Sequence, residues 1–93
     1  MKRKVVRTVV AGRVQGVWFR GWTVAQAEAR GLDGWVRNRS DGTVEAVFAG
    51  PSAAVDSMVD ACAKGPPSAD VTGVSVEPWE EPESPGFEQK PSV

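Results

Sequence analysis

The chain has 93 residues, 41% apolar and 25% charged, with a formal net charge of −1, which suits one domain spanning residues 1–93 around a single core. It contains no histidine and one cysteine, Cys62, so His-based acid–base catalysis, Ser-His triads, Cys/His zinc sites and intrachain disulfides are excluded, and a reducing cytoplasmic compartment is expected.

The start "MKRKVVRTVVAG" places basic residues before valines, as a secretory leader does, but Arg7 interrupts the apolar part and leaves it shorter than the roughly 7–15 residues of an h-region. No uninterrupted apolar run reaches the roughly 20 residues of a membrane span, so no membrane partner is expected. "KVVRTVVAG" is rich in β-branched residues and predicts a strand, with valines at both parities and its buried face therefore open. Trp18, Trp22, Ala25, Ala29 and Leu32 then fall at helical spacing and predict one apolar stripe, with Gly31 suited to the position just past the helix end. "GWVRN" and "TVEAVFAG" predict two strands joined through "RSDG", where Asp41-Gly42 is a hairpin signal.

The second helix opens at "GPSAAVDSMVDACAKG" with Pro51 suited to its first turn, carries Val55, Met58, Val59 and Cys62 as its apolar stripe, and stops at Gly65-Pro66-Pro67. "ADVTGVSVEPW" predicts a fourth strand, "EEPESPG" a polar loop, and "FEQK" a short extra edge strand that Pro91 ends early, before a frayed terminus. The order β-α-β-β-α-β is that of an α+β, ferredoxin-like split βαβ sandwich, in which two helices cover one face of an antiparallel sheet. Many unrelated activities share this fold, so function has to come from the site.

The turn between the first strand and first helix reads "GRVQGVWFR", residues 12 to 20. A helix N-terminus presents unpaired N–H groups and the positive end of the dipole, and Gly16 lets the backbone curl so that consecutive amides converge on one anion. Arg20 at the edge of such a nest can grip two oxygens at once, while Val17, Trp18 and Phe19 limit water. A plain structural turn, with Gln15 and Arg20 as solvated side chains, remains the competing reading of the same residues. Asn38, where the second strand meets its hairpin, offers a carboxamide that orients a water molecule if this strand neighbours the first; as a turn-shaping residue it would do nothing further.

"GRVQGVWFR" followed by "GWVRNRSDGTVE" closely resembles the two signatures of the acylphosphatase family, in order and along a chain of matching length. The resemblance implies a hydrolase that cleaves acyl phosphates without metal or cofactor, working as a cytosolic monomer. It further implies that backbone amides of Gln15, Gly16, Val17, Trp18, Phe19 and Arg20 bind the phosphoryl group, that Arg20 anchors it, and that Asn38 positions the attacking water. Inorganic phosphate is then both product and inhibitor. The chain departs from the family at its end, where "GFEQKPSV" replaces the usual Phe-x-x-Arg/Lys-aromatic strand.

The lack of a histidine is compatible with that chemistry. An acyl phosphate releases a carboxylate whose conjugate acid has a pKa of about 4, so it leaves without a general acid. Three other readings compete. A noncatalytic anion- or regulator-binding domain would share the fold, and a larger carbamoyl-transferring maturation protein carries similar motifs. An RNA-binding sheet would also share the element order, but "VVRTVVAG" holds no aromatic and "TVEAVFAG" only Phe48, so no nucleic-acid partner is expected.

Charge is unevenly spread. Residues 1–40 hold nine Lys/Arg against Glu28 and Asp33, whereas residues 41–93 hold Lys64 and Lys90 against ten acids. Either the basic half marks an anion-binding region, or the fold interleaves the halves and cancels the field. Trp35, Phe48 and Trp79 read as core or sheet-face residues, Cys62 as a buried inert thiol, and Asp41, Glu45 and Glu77 as turn and strand-face carboxylates.

Overall fold

The computed structural model, which describes residues 2–93, places the valine-rich first strand inside the sheet, paired on both edges. In chain order the elements are β1 (Arg3–Arg13), α1 (Phe19–Ala29), β2 (Asp33–Asn38), β3 (Val44–Pro51), α2 (Ser52–Lys64), β4 (Asp70–Pro78) and β5 (Phe87–Gln89). The sheet runs β4-β1-β3-β2-β5. This is the expected split βαβ sandwich with the extra edge strand. Val6, Thr8 and Val10 sit opposite Phe48, Ala46 and Val44 on β3 and face the helices, which settles the parity the sequence left open. There Val6 and Val10 join Val36, Phe19, Ala27, Val55, Met58 and Cys62 in one buried cluster, and Thr8 is buried beside them.

α1 does not present the predicted stripe. Its buried residues are Phe19, Thr23 and Ala27; Ala25 and Ala29 are exposed, and Trp18 lies outside the helix in a left-handed conformation. Rows 18-22-25-29 and 19-23-27 are neighbours on a helical surface, and spacing alone does not choose between them. The choice is made by Phe19, which enters the core once Trp18 turns the chain. The end of α1 is as expected: Gly31 N–H donates to Glu28 O and Leu32 N–H to Ala27 O, a Schellman closure. α2 buries Val55, Met58 and Cys62, and burial pushes the Cys62 thiol up to about 12, which keeps it protonated and inert.

The adjacency on which the role of Asn38 was made conditional is not found, and one expectation about the sheet is corrected. β2 pairs with β3 and β5 and not with β1, because the short Arg39–Thr43 hairpin obliges β2 and β3 to be neighbours and β3 already occupies the edge of β1. β5 runs parallel to β2, so the sheet is mixed and not wholly antiparallel. The chain leaves β4 at one edge, crosses the sheet through residues 79–86 and must return in the opposite sense at the far edge. The end is not frayed. Beyond Pro91, Val93 N–H donates to Asn38 O at 3.1 Å and Ser40 N–H donates to Val93 O.

The open face of the sheet holds the ion pairs. Glu45, only 4% exposed, accepts hydrogen bonds from Arg7 Nε and Arg37 Nε, each at 2.6 Å. Arg7 also reaches Glu77 and lies over Trp79, and Arg37 lies over Trp35. Lys4–Asp56 and Arg3–Glu81 join the halves again, so the opposite charges of the two halves are interleaved. Phe48 points to the helices, leaving the central strands β1 and β3 without aromatics on the open face. Burial pushes the Glu45 carboxyl up, but the bonds from Arg7 and Arg37 outweigh it and hold it below its ordinary value.

A carboxylate whose pKa is depressed by folding stabilises the fold above its unfolded value, and that contribution is lost as pH falls through the folded value. Glu45→Ala is therefore expected to lower the free energy of unfolding by about 3 kcal/mol at pH 7, because it leaves Arg37 without a carboxylate and Arg7 with only the exposed Glu77. Urea titrations across pH should also show a shallower loss of stability in the variant below pH of roughly 4.3.

Candidate active site

The Val14–Arg20 segment curls because two of its residues adopt left-handed backbone. Gly16 has φ 72° and Trp18 has φ 65° with ψ 22°. Gly16 is required for conformation alone, since a Cβ there would meet nothing within 4 Å. Trp18 is the one non-glycine residue with positive φ among the described residues, a state that costs an L-residue about 1–2 kcal/mol. Outside the helices and strands no backbone hydrogen bond begins at an N–H of residues 15 to 20. The first-turn amides of α1 lack intrahelical acceptors in any case, so the helix N-terminus carries a run of free donors. The Val17 carbonyl is held by Ser68 Oγ, which donates to it at 2.8 Å.

Gln15 joins this loop to the hairpin beyond β3. Its Nε2 donates to Arg39 O at 2.8 Å and to Thr43 O at 2.9 Å. The side chain is thus committed to the hairpin, and only the Gln15 backbone amide is left for the nest. The hairpin itself is shaped by Asp41, whose Oδ1 accepts from Thr43 N–H and Oγ1. Asn38 shares strand parity with Val36, so its side chain projects to the helix side. The loop reaches it by passing over the end of β3, although β2 is not adjacent to β1.

These elements enclose a hollow of about 140 Å³ lined by Val14, Gly16, Trp18, Phe19, Arg20, Gly21, Asn38 and Gln89. A water molecule's share of liquid volume is about 30 Å³, so a group of several heavy atoms fits. Two polar groups in it, Asn38 Oδ1 and the Arg20 guanidinium, matter most, and neither has a protein partner among the described residues. Asn38 Oδ1 is buried and accepts no hydrogen bond. Arg20 is the only arginine without a partner: Arg3, Arg7, Arg37 and Arg39 are ion-paired, Arg13 donates to Ser68 O and Arg30 to Gln26 and Ser57. No carboxylate lines the hollow. A larger hollow of about 260 Å³ on the opposite face of the sheet is lined by Glu80, Glu81, Glu83 and Glu88 against a single Lys90, with Trp35 and Trp79, and the excess of acids would repel an anion.

Gly16, Trp18, Phe19, Arg20 and Asn38 thus meet around one hollow, with Gln15 behind it and Val17 on its outer turn. Sequence reasoning missed Gln89, which arrives through the parallel pairing of β5 with β2, and Gly21, which lies beneath the Trp18 indole. "FEQK" carries no local signal for the first. For the second, a glycine in the first turn of a helix is itself an unfavourable choice of about 0.5–1 kcal/mol and asks for a packing reason.

Comparison with known proteins gives a concordant result. A family model described as Acylphosphatase matches residues 6–89. The chain is similar to an acylphosphatase of Rhodospirillum rubrum, 59% identical over all of both chains. It superimposes on the crystal structure of acylphosphatase from Bacillus subtilis with a TM-score of 0.87 at 40% identity, covering 96% of this chain and 99% of that one. It also superimposes on 12% of full-length HypF in a phosphate- and nucleotide-bound form, with 98% of this chain covered, a TM-score of 0.89 and 25% identity.

Removing the Gln15 carboxamide deletes two hydrogen bonds and unties the loop from the hairpin, while Arg39 O keeps the bond from Gly42 N–H and Thr43 O the bond from Arg39 N–H. Gln15→Ala is expected to lower unfolding free energy by about 1–3 kcal/mol, and amide hydrogen exchange should accelerate in residues 39 to 43 more than in α2.

Proposed function

Because this chain belongs to the acylphosphatase family and is an enzyme that hydrolyses acyl phosphates, we propose that it does so by positioning and fixed charge alone, without metal or cofactor. The amides of the Gln15–Arg20 loop and the Arg20 guanidinium hold the phosphoryl oxygens, and Asn38 orients the attacking water. The observation that carries this reading is that the one unpaired arginine, Asn38 with its orphaned Oδ1, and Gly16, Trp18 and Phe19 of the loop whose amides are free all line one hollow.

The water oxygen forms a bond to phosphorus while the bond between phosphorus and the acyl oxygen breaks, and the carboxylate departs as an anion. Its conjugate acid has a pKa of about 4, so no proton need be delivered to it. The transition state is largely dissociative, and the water needs orientation more than deprotonation; its proton passes to a phosphoryl oxygen of the substrate. Asn38 Oδ1 accepts one hydrogen of that water and leaves a lone pair aimed at phosphorus. Charge on the three equatorial oxygens meets donors that are already in place and need not reorganise. An alkyl phosphate ester would fail here, since its alkoxide requires an acid and the hollow contains none.

Inorganic phosphate, the product, competes for the same nest. We read the enzyme as a cytoplasmic monomer, and the single buried Cys62 suits that compartment.

Arg20→Ala is expected to lose at least the roughly 2.7–4 kcal/mol of transition-state stabilisation typical of one oxyanion donor, with Arg20→Lys recovering little because it lacks the planar fork. Wild-type kcat/KM on benzoyl phosphate in Arg20→Ala would overturn the assignment. Asn38→Ala should depress kcat strongly while inhibition by inorganic phosphate persists; loss of that inhibition would give Asn38 a binding role instead. Turnover should survive a chelator, and its abolition would require a metal mechanism.

A further inference from the structure

The placement of Trp18 is unexplained by phosphate binding. A nest needs left-handed backbone at this position, which glycine or asparagine supplies at least strain, and the amide would serve equally from either. The chain instead holds its largest side chain there, 69% exposed and outside the core cluster. A second unfavourable choice keeps it in place. A Cβ on Gly21 would lie 2.2 Å from Trp18 Nε1 and 2.7 Å from Cε2, so the indole rests on the bare backbone of the first turn of α1.

The hollow has a floor and a mouth. Val14 and Phe19 are buried and Asn38 Oδ1 is inaccessible, whereas Gly16, Trp18 and Gln89 are the exposed lining residues. An in-line displacement puts the leaving group opposite the attacking water. With the water at Asn38 on the floor, the acyl group points out through the mouth. Among the described residues that line the mouth, Trp18 alone presents an extended apolar surface; Gly16 offers no side chain and Gln89 a polar one.

We propose that Trp18 is a specificity-determining residue, a platform on which the acyl group of the substrate packs, and that it favours acyl phosphates bearing an aromatic ring over those with a small aliphatic acyl group. This rests on the reading of the loop as the phosphoryl nest. A ring on the indole gains an offset-stacked or edge-to-face contact in both ground state and transition state, so its effect falls on KM more than on kcat.

The test compares benzoyl phosphate with acetyl phosphate in the wild type, Trp18→Phe, Trp18→Asn and Gly21→Ala. Asparagine tolerates left-handed backbone and so preserves the loop while removing the ring; alanine at 21 leaves the indole present but displaces it. The benzoyl-to-acetyl ratio of kcat/KM should fall roughly three- to tenfold in Trp18→Asn and in Gly21→Ala, as expected for one aromatic contact. The fall should come mainly from KM for benzoyl phosphate, and Trp18→Phe should retain most of the ratio. An unchanged ratio in Trp18→Asn and Gly21→Ala overturns the proposal. So does an equal loss on both substrates accompanied by weaker inhibition by inorganic phosphate, which would make Trp18 a shaper of the loop. Failure of the nest itself is distinguishable: there, inorganic phosphate would not inhibit even the wild type.

Discussion

Two hydrogen bonds from one carboxamide hold the site together. Gln15 Nε2 donates to the carbonyls of Arg39 and Thr43, which flank the turn between β2 and β3. Without that bridge the anion loop belongs to β1 and α1, Asn38 belongs to β2, and β3 stands between them. A displacement reaction needs its water and its phosphoryl group in register to a fraction of an ångström, and misplacement by about 1 Å can cost on the order of 10²-fold in rate. A side-chain amide with two donors suits the task, because it can satisfy two backbone carbonyls at once and fix a distance between elements that share no strand pairing.

Around that site, charge is partitioned. The cations of the first half of the chain are matched almost throughout by acids of the second half or by carbonyls: Arg7 and Arg37 on Glu45, Arg3 on Glu81, Lys4 on Asp56, Arg13 on Ser68 O. Arg20 is the arginine left over. An unpaired guanidinium beside free amides makes the hollow electropositive although the chain as a whole carries −1, and the acid-rich 79–88 segment lies on the other face of the sheet. Net charge is therefore no guide to what the molecule attracts; the pairing is.

The loop also stores local strain. The left-handed conformation of Trp18 and the glycine at position 21 both work against stability, and they meet at one van der Waals contact. Rule-breaking local choices of this kind concentrate where a fold serves something other than its own stability. Here they set the entrance of the hollow, while the core beneath, from Val14 and Phe19 inward, follows ordinary patterning.

Much of this was readable from the chain itself. Element order follows from β-branched runs, the Asp41-Gly42 turn and the Gly65-Pro66-Pro67 stop, because those signals act within a few residues of themselves. The two motifs were legible for the same reason: a glycine-bearing loop before a helix and a carboxamide at a strand end are local statements. Four matters were decided only in three dimensions. These are the phase of α1, the separation of β2 from β1, the parallel sense of β5 that delivers Gln89, and the docking of the tail on Asn38 and Ser40. Each depends on which surfaces meet across the sheet, and spacing in sequence does not encode that. Gln15 shows the division in one residue. Its place in the loop is evident from the sequence, but the turn of its side chain away from the anion and toward two distant carbonyls is set by tertiary packing, because only the folded sheet brings those acceptors within hydrogen-bond reach.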